Sequence, residues 1–110
     1  MAMKPTENKL DSLHHVAIQV ENIARALKWY SKNFNAEIVY LDDTWAMLRF
    51  ENIYLALVLP EQHPPHIAIE HEGAEAYGTL VEHRDGTKSI YINDSEGNQL
   101  EMMKPVKKVK

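Results

Sequence analysis

Apolar and polar residues alternate along two short stretches of the chain, His15-Val16-Ala17-Ile18-Gln19 and His66-Ile67-Ala68-Ile69-Glu70. A period of two marks a strand with one face buried. The two stretches match position by position, 51 residues apart from His15 to His66. A second pair, Leu55-Ala56-Leu57-Val58-Leu59-Pro60 and Leu100-Glu101-Met102-Met103-Lys104-Pro105, superimposes at 45 residues, from 56 to 101. The chain is therefore an internal repeat, and its second unit is shorter by 51 less 45, or six residues.

The shortening falls on a helix. In the first unit Ile23, Ala26, Leu27, Tyr30 and Phe34 recur at helical spacing behind a capping residue, Asn22, and predict a helix over "IARALKWYSKNF". The matching stretch "EGAEAYGTL" holds Gly73 and Gly78 and only Ala74, Tyr77 and Leu80 as a stripe. Glycine costs roughly 1 kcal/mol relative to alanine inside a helix, so a turn or two of helix is expected there. Three strand-like runs follow in each unit. They cover 37–41, 44–50 and 53–59 in the first and about 80–84, 88–93 and 99–103 in the second, with "DD", "EN", "DG" and "SEGN" at the turns.

The expected fold is α+β. Two β-α-β-β-β modules, residues 12–59 and 66–105, are joined by the proline-rich linker 60–65 and paired pseudo-symmetrically in one domain, as a curved mixed sheet around a cavity. Residues 1–11 are expected to be a disordered N-terminal segment and 106–110 a basic C-terminal tail.

Strand parity assigns faces. His14, Val16, Ile18 and Val20 share the face packed under the helix, which leaves His15, Ala17 and Gln19 on the other. By the same rule His66, Ala68 and Glu70 oppose Ile67 and Ile69, Glu101 and Met103 oppose Leu100 and Met102, and Tyr54, Ala56 and Val58 share the cavity side. Ser89, Tyr91 and Asn93 also look inward. On the third strand Trp45, Met47 and Arg49 oppose Ala46, Leu48 and Phe50, so one set lines the cavity. Arg49 is then available to pair with an anionic oxygen; the alternative is that it is an exposed strand charge. His14 falls on the core side, and His63, His71 and His83 lie in loops or at strand ends, so none of the four receives a role.

Composition narrows the chemistry. The 110 residues, 45% hydrophobic and 25% charged, suit one compact domain with a modest core. A net charge of −4 speaks against nucleic acid as a partner. No apolar run approaches the ~20 residues of a membrane span, and the first residues lack the hydrophobic core of a signal peptide, so the expected location is cytoplasmic, with no membrane partner. Without cysteine, a metal ion must be held by histidine and carboxylate. Taken singly, His15 reads as a hydrogen-bonded structural histidine and Glu101 as a solvated charge. Their placement with His66 at repeat-related positions on one face, however, makes a set suited to a divalent Fe, Mn, Zn or Ni ion with coordination positions left open.

The opening "LHHVAIQVENIARALKWYSKNF" and the closing "YINDSEGNQLEMM" resemble the first strand and helix and the last hairpin of the vicinal oxygen chelate superfamily. That superfamily includes glyoxalase I, extradiol dioxygenases, methylmalonyl-CoA epimerase, fosfomycin-resistance proteins and bleomycin-binding proteins. The resemblance covers about residues 12 to 105, with Ser95 where a proline is usual. It implies metal ligands at His15, His66 and Glu101 and places the family's fourth metal position on Ala56, which can neither bind a metal nor move a proton. The set is thus more similar to those of extradiol dioxygenases and fosfomycin-modifying transferases than to those of the isomerases. Tyr91 matches a cavity tyrosine of the fosfomycin type and is the expected catalytic side chain, with Arg49, Trp45, Tyr54 and Gln19 toward substrate.

The function expected is that of a metal-dependent enzyme, a dioxygenase or a transferase/lyase, acting on a small oxygen-chelating substrate. The alternative is a metal-free binding protein of the bleomycin-resistance type. A homodimer is expected, because a shortened second helix leaves sheet surface uncovered.

Overall fold

The computed structural model describes residues 10–105. The expectations for the basic tail and for all but the last two residues of the N-terminal segment therefore lie outside the described residues. Strand β1 (Ser12–Gln19) leads into helix α1 (Ile23–Asn33), followed by β2 (Glu37–Leu41), β3 (Trp45–Arg49) and β4 (Tyr54–Val58). The second module runs β5 (His66–Glu70), a single 3-10 turn (Ala74–Tyr77), β6 (Val81–Glu82), β7 (Lys88–Asn93) and β8 (Gln99–Met103).

All eight strands form one curved mixed sheet in the order β2-β3-β4-β1-β5-β8-β7-β6. The antiparallel pair β1·β5 is its centre, and each of these two strands runs parallel to the last strand of its own module. The register carries the repeat faithfully: Ala17 lies opposite Ala56 in the first module, and Ala68 opposite Glu101 in the second. The two modules are thus related position by position, as the sequence offsets require.

Helix α1 forms where the apolar stripe demands it. The Asn22 side chain accepts from the Arg25 N–H at 2.8 Å, satisfying a donor that the first turn leaves free. Ile23 and Leu27 pack against Ala46, Leu48 and Leu57 of β3 and β4, with Ile18 and Val20 alongside. The helix ends at Phe34, whose backbone is extended and whose N–H closes on the Tyr30 carbonyl at 2.9 Å. In the second module Gly78 takes φ +146°, which no helix accommodates, and the helical path stops after one turn. Ile67, on the face that a longer helix would cover, stays 40% exposed.

On the opposite, concave face, Ala17, Met47, Ala56 and Val58 are buried beside Trp45, Tyr40 and Tyr54. The parity assignment holds except at His14. Leu13 pairs with Ile69 and His15 with Ala68, so two steps on β1 meet one on β5 and His14 is the extra residue of a bulge. Its ring leaves the helix side and stacks on Tyr54 at 4.7 Å. Among the described residues no helix is long and apolar enough to cross a membrane.

Candidate metal centre

Three neighbouring strands of the concave face, β1, β5 and β8, bring His15, His66 and Glu101 together. All three are buried, with at most 6% of their surface exposed. Glu101 Oε1 lies 3.2 Å from His15 Nε2 and 3.1 Å from His66 Nε2, and the two Nε2 atoms are 3.4 Å apart. Metal–ligand bonds of about 2.0–2.2 Å at tetrahedral or octahedral angles set donor atoms about 2.8–3.6 Å apart, and the observed spacing falls within that range.

The protons point to the same chemistry. His66 Nδ1 is 2.9 Å from the Pro64 carbonyl, which can only accept, so Nδ1 carries the hydrogen and a neutral His66 turns the bare lone pair of Nε2 toward a carboxylate. His15 Nδ1 meets His14 Nδ1 at 2.7 Å, so the bulge that displaces His14 gives the His15 ring a partner for its far nitrogen. With His15 as the donor in that pair, three lone-pair donors converge on one point. A proton on one nitrogen satisfies a single contact, whereas a divalent cation satisfies all three. The His15, His66 and Glu101 cluster can therefore chelate a divalent metal ion.

Burial by itself would push the Glu101 carboxyl up. Protons shared with the His15 and His66 rings in place of an ion, together with the bond from Ser89, overcome that and hold it well below the usual carboxylate range. The acid is thus ionised at any physiological pH, as a ligand must be. Its other oxygen, Oε2, accepts from the Ser89 hydroxyl at 2.7 Å.

A cavity of about 360 Å³ opens above the triad. That is near the small end of the range for ligand pockets. Ala56 lies in its wall, so the repeat-related fourth position offers no donor. Trp45, backed by the stacked ring of Tyr40 at 4.0 Å, makes a flat apolar side, and Tyr91 lines the cavity from the second module. Burial, reinforced by the charges of Glu101 and Asp85, pushes the Tyr91 hydroxyl up, so it stays a donor at neutral pH.

Of the residues expected toward substrate, Trp45 lines the cavity and the others do not. Arg49 is drawn out to Glu37, with Nε and Nη2 at 3.0 and 2.8 Å from one carboxylate oxygen, and is the exposed strand charge of the two readings. Gln19 donates to the His63 carbonyl at 2.9 Å and braces the linker instead. Tyr54 sits behind His14.

Sequence reasoning missed two histidines that do line the cavity, His63 from the linker and His83 from the β6–β7 loop. Neither belongs to a periodic element, so parity has nothing to say about it. The only signal was their proximity to "PP" and "DG" turns.

The chain matches the family model of the Glyoxalase/Bleomycin resistance protein/Dioxygenase superfamily over residues 12–85. It belongs to this superfamily. Among solved structures it is similar to a hypothetical protein of Bacillus halodurans, at 15% identity and TM-score 0.70, over 93% of this chain and 99% of that one. It is also similar to methylmalonyl-CoA epimerase of Mycobacterium tuberculosis, at 16% identity and TM-score 0.64, over 87% and 89%. A further likeness is to a hypothetical protein of Staphylococcus aureus, at 19% identity and TM-score 0.58, over 86% of this chain but 34% of that one. At these identities the likeness is one of fold. No curated protein matches the sequence significantly. The matched segment of the superfamily model includes two members of the triad, His15 and His66, and ends before Glu101, which the sheet register supplies.

Proposed function

We propose that the protein is a metal-dependent enzyme acting on a small molecule that presents two oxygens to the ion, of the dioxygenase or transferase type. The observation that carries this reading is the convergence of three buried donor atoms, two imidazole nitrogens and one carboxylate oxygen, under an open cavity. His15, His66 and Glu101 would hold the ion, which when bound acts as a Lewis acid on the substrate oxygens. Three protein ligands leave positions for those oxygens. Alanine at 56 withholds the fourth donor that isomerase chemistry in this superfamily uses, and this disfavours isomerisation.

The chain's own groups do the rest. Trp45 supplies a flat surface against which a planar substrate is held. Tyr91, kept protonated, donates a hydrogen bond to an oxygen on which negative charge develops. His63 is partly buried, and burial together with the neighbouring His66 lowers its basicity and favours the neutral ring. A neutral imidazole at the cavity wall can accept a proton from the substrate. We further propose that the enzyme is cytoplasmic and works as a homodimer, the dimer being supported by the sheet face at Leu13 and Ile67, which helix α1 does not cover.

The test is the metal content of protein purified without tag or chelator, for the wild type and His66→Ala. About one transition-metal ion per chain, absent from the variant, is the expected result. A wild type that takes up none, even on reconstitution, would overturn the reading in favour of a metal-free binding protein.

A further inference from the structure

Glu101 divides its two oxygens. Oε1 faces the metal position, and Oε2 belongs to Ser89. The serine hydroxyl has one proton and gives it to Glu101, so its contact with His83 Nε2 at 2.5 Å is one in which the imidazole N–H donates and the hydroxyl accepts. His83 therefore holds the hydroxyl, the hydroxyl holds the carboxylate, and His83 Nε2 itself stands 3.5 Å from Oε2. This matters for the chemistry proposed above: a carboxylate freed at Oε2 can turn both oxygens toward an ion and take a position that a substrate oxygen needs.

His83 opens a tight loop, its N–H donating to the Thr87 carbonyl at 2.8 Å and the Gly86 N–H donating to the His83 carbonyl at 2.9 Å. The next residue, Arg84, reaches across the cavity mouth to the other module. Its guanidinium lies 2.8 Å from Asp42 Oδ2 and donates to Thr44 Oγ1 at 2.9 Å. These partners sit in the β2–β3 turn, so the latch joins turns from opposite ends of the eight-stranded sheet. Asp42 is a prepared acceptor, bonded by the Tyr40 hydroxyl, the Thr44 hydroxyl and the backbone N–H groups of Thr44 and Trp45. Tyr40 in turn stacks on Trp45, so the latch is mounted on the cavity wall.

We propose that His83, seated by the Arg84–Asp42 latch, is a positioning residue that fixes Ser89 and through it holds Glu101 to one-oxygen binding. The metal centre is thereby complete only when the 83–87 loop is closed over the cavity. In its consequence for the ion the proposal rests on the metal reading; the positioning itself exists in the metal-free protein.

Two measurements on the full chain separate these. Proton–nitrogen correlation spectra of the imidazoles, recorded without metal, are expected to show the His15 and His66 signals moved in His83→Leu and restored in His83→Gln, whose amide N–H replaces the lost donor. Arg84→Met, at an exposed position that touches no ligand, is expected to move the same signals by less. Cobalt(II) titration should then show affinity lowered about 10–100-fold in His83→Leu, the usual cost of losing an outer partner. It should also show a visible spectrum of higher coordination number, with both effects reversed in His83→Gln. Imidazole signals of His83→Leu identical to the wild type would overturn the positioning role, and wild-type signals in Arg84→Met would overturn the part assigned to the latch. A wild type that binds no cobalt would instead overturn the metal reading, since the metal-free spectra judge the positioning independently.

Discussion

A neutral His66 that donates to Pro64 has only a lone pair left for Glu101, and that single hydrogen-bond constraint carries more functional information than the burial of the whole triad. It follows that Glu101→Gln, which removes the negative charge on which both rings converge, should lower affinity for a divalent ion by more than the about 10–100-fold that outer partners cost, with the fold retained by circular dichroism. A second residue-scale prediction concerns pH. Burial raises the Asp42 carboxyl, but bonds from Tyr40, Thr44 and Trp45 bring it down to about 2 from an ordinary 3.8. The folded state thus favours the charged form. The stability this contributes is fully present above 3.8 and is lost as the pH falls toward 2. Urea midpoints of the wild type and Asp42→Asn should differ at neutral pH and converge on acidification through that window. At this scale the His15, His66 and Glu101 cluster was legible because a strand has only two sides, and His14 was misplaced because one bulge shifts that count.

At the level of elements, the two modules differ in a single decision between helix and turn. Asn22 caps eleven residues of helix, and Asn22→Ala should cost about 1 kcal/mol in urea unfolding. Gly78 ends the second attempt after one turn. A Cβ there would lie 2.4 Å from Ile90 Cδ1 on a backbone at φ +146°, so Gly78→Ala should destabilise by more than about 1 kcal/mol. Both elements were readable from the chain, since capping and glycine act locally. The strands were readable to within a residue or two at their ends, except for the one that shrank to Val81–Glu82, where pairing with β7 sets the limit.

For the molecule as a whole, the proposed dimer predicts that sedimentation will give twice the chain mass and that Ile67→Lys, a charge on the uncovered face, will give the monomer; unchanged mass in the variant would remove Ile67 from any interface. The sequence by itself determined the repeat, the α+β architecture, the concave and convex faces and the trio His15, His66 and Glu101. Each of these follows from periodicity, which the backbone imposes within one element. The tertiary structure alone decided that Arg49 turns away to Glu37, that His63 and His83 enter the cavity, and that Arg84 spans the mouth to Asp42. Those side chains sit in loops or at strand ends. Their direction is set by how far an eight-stranded sheet curls and which turns it brings face to face, a global curvature that no local spacing encodes.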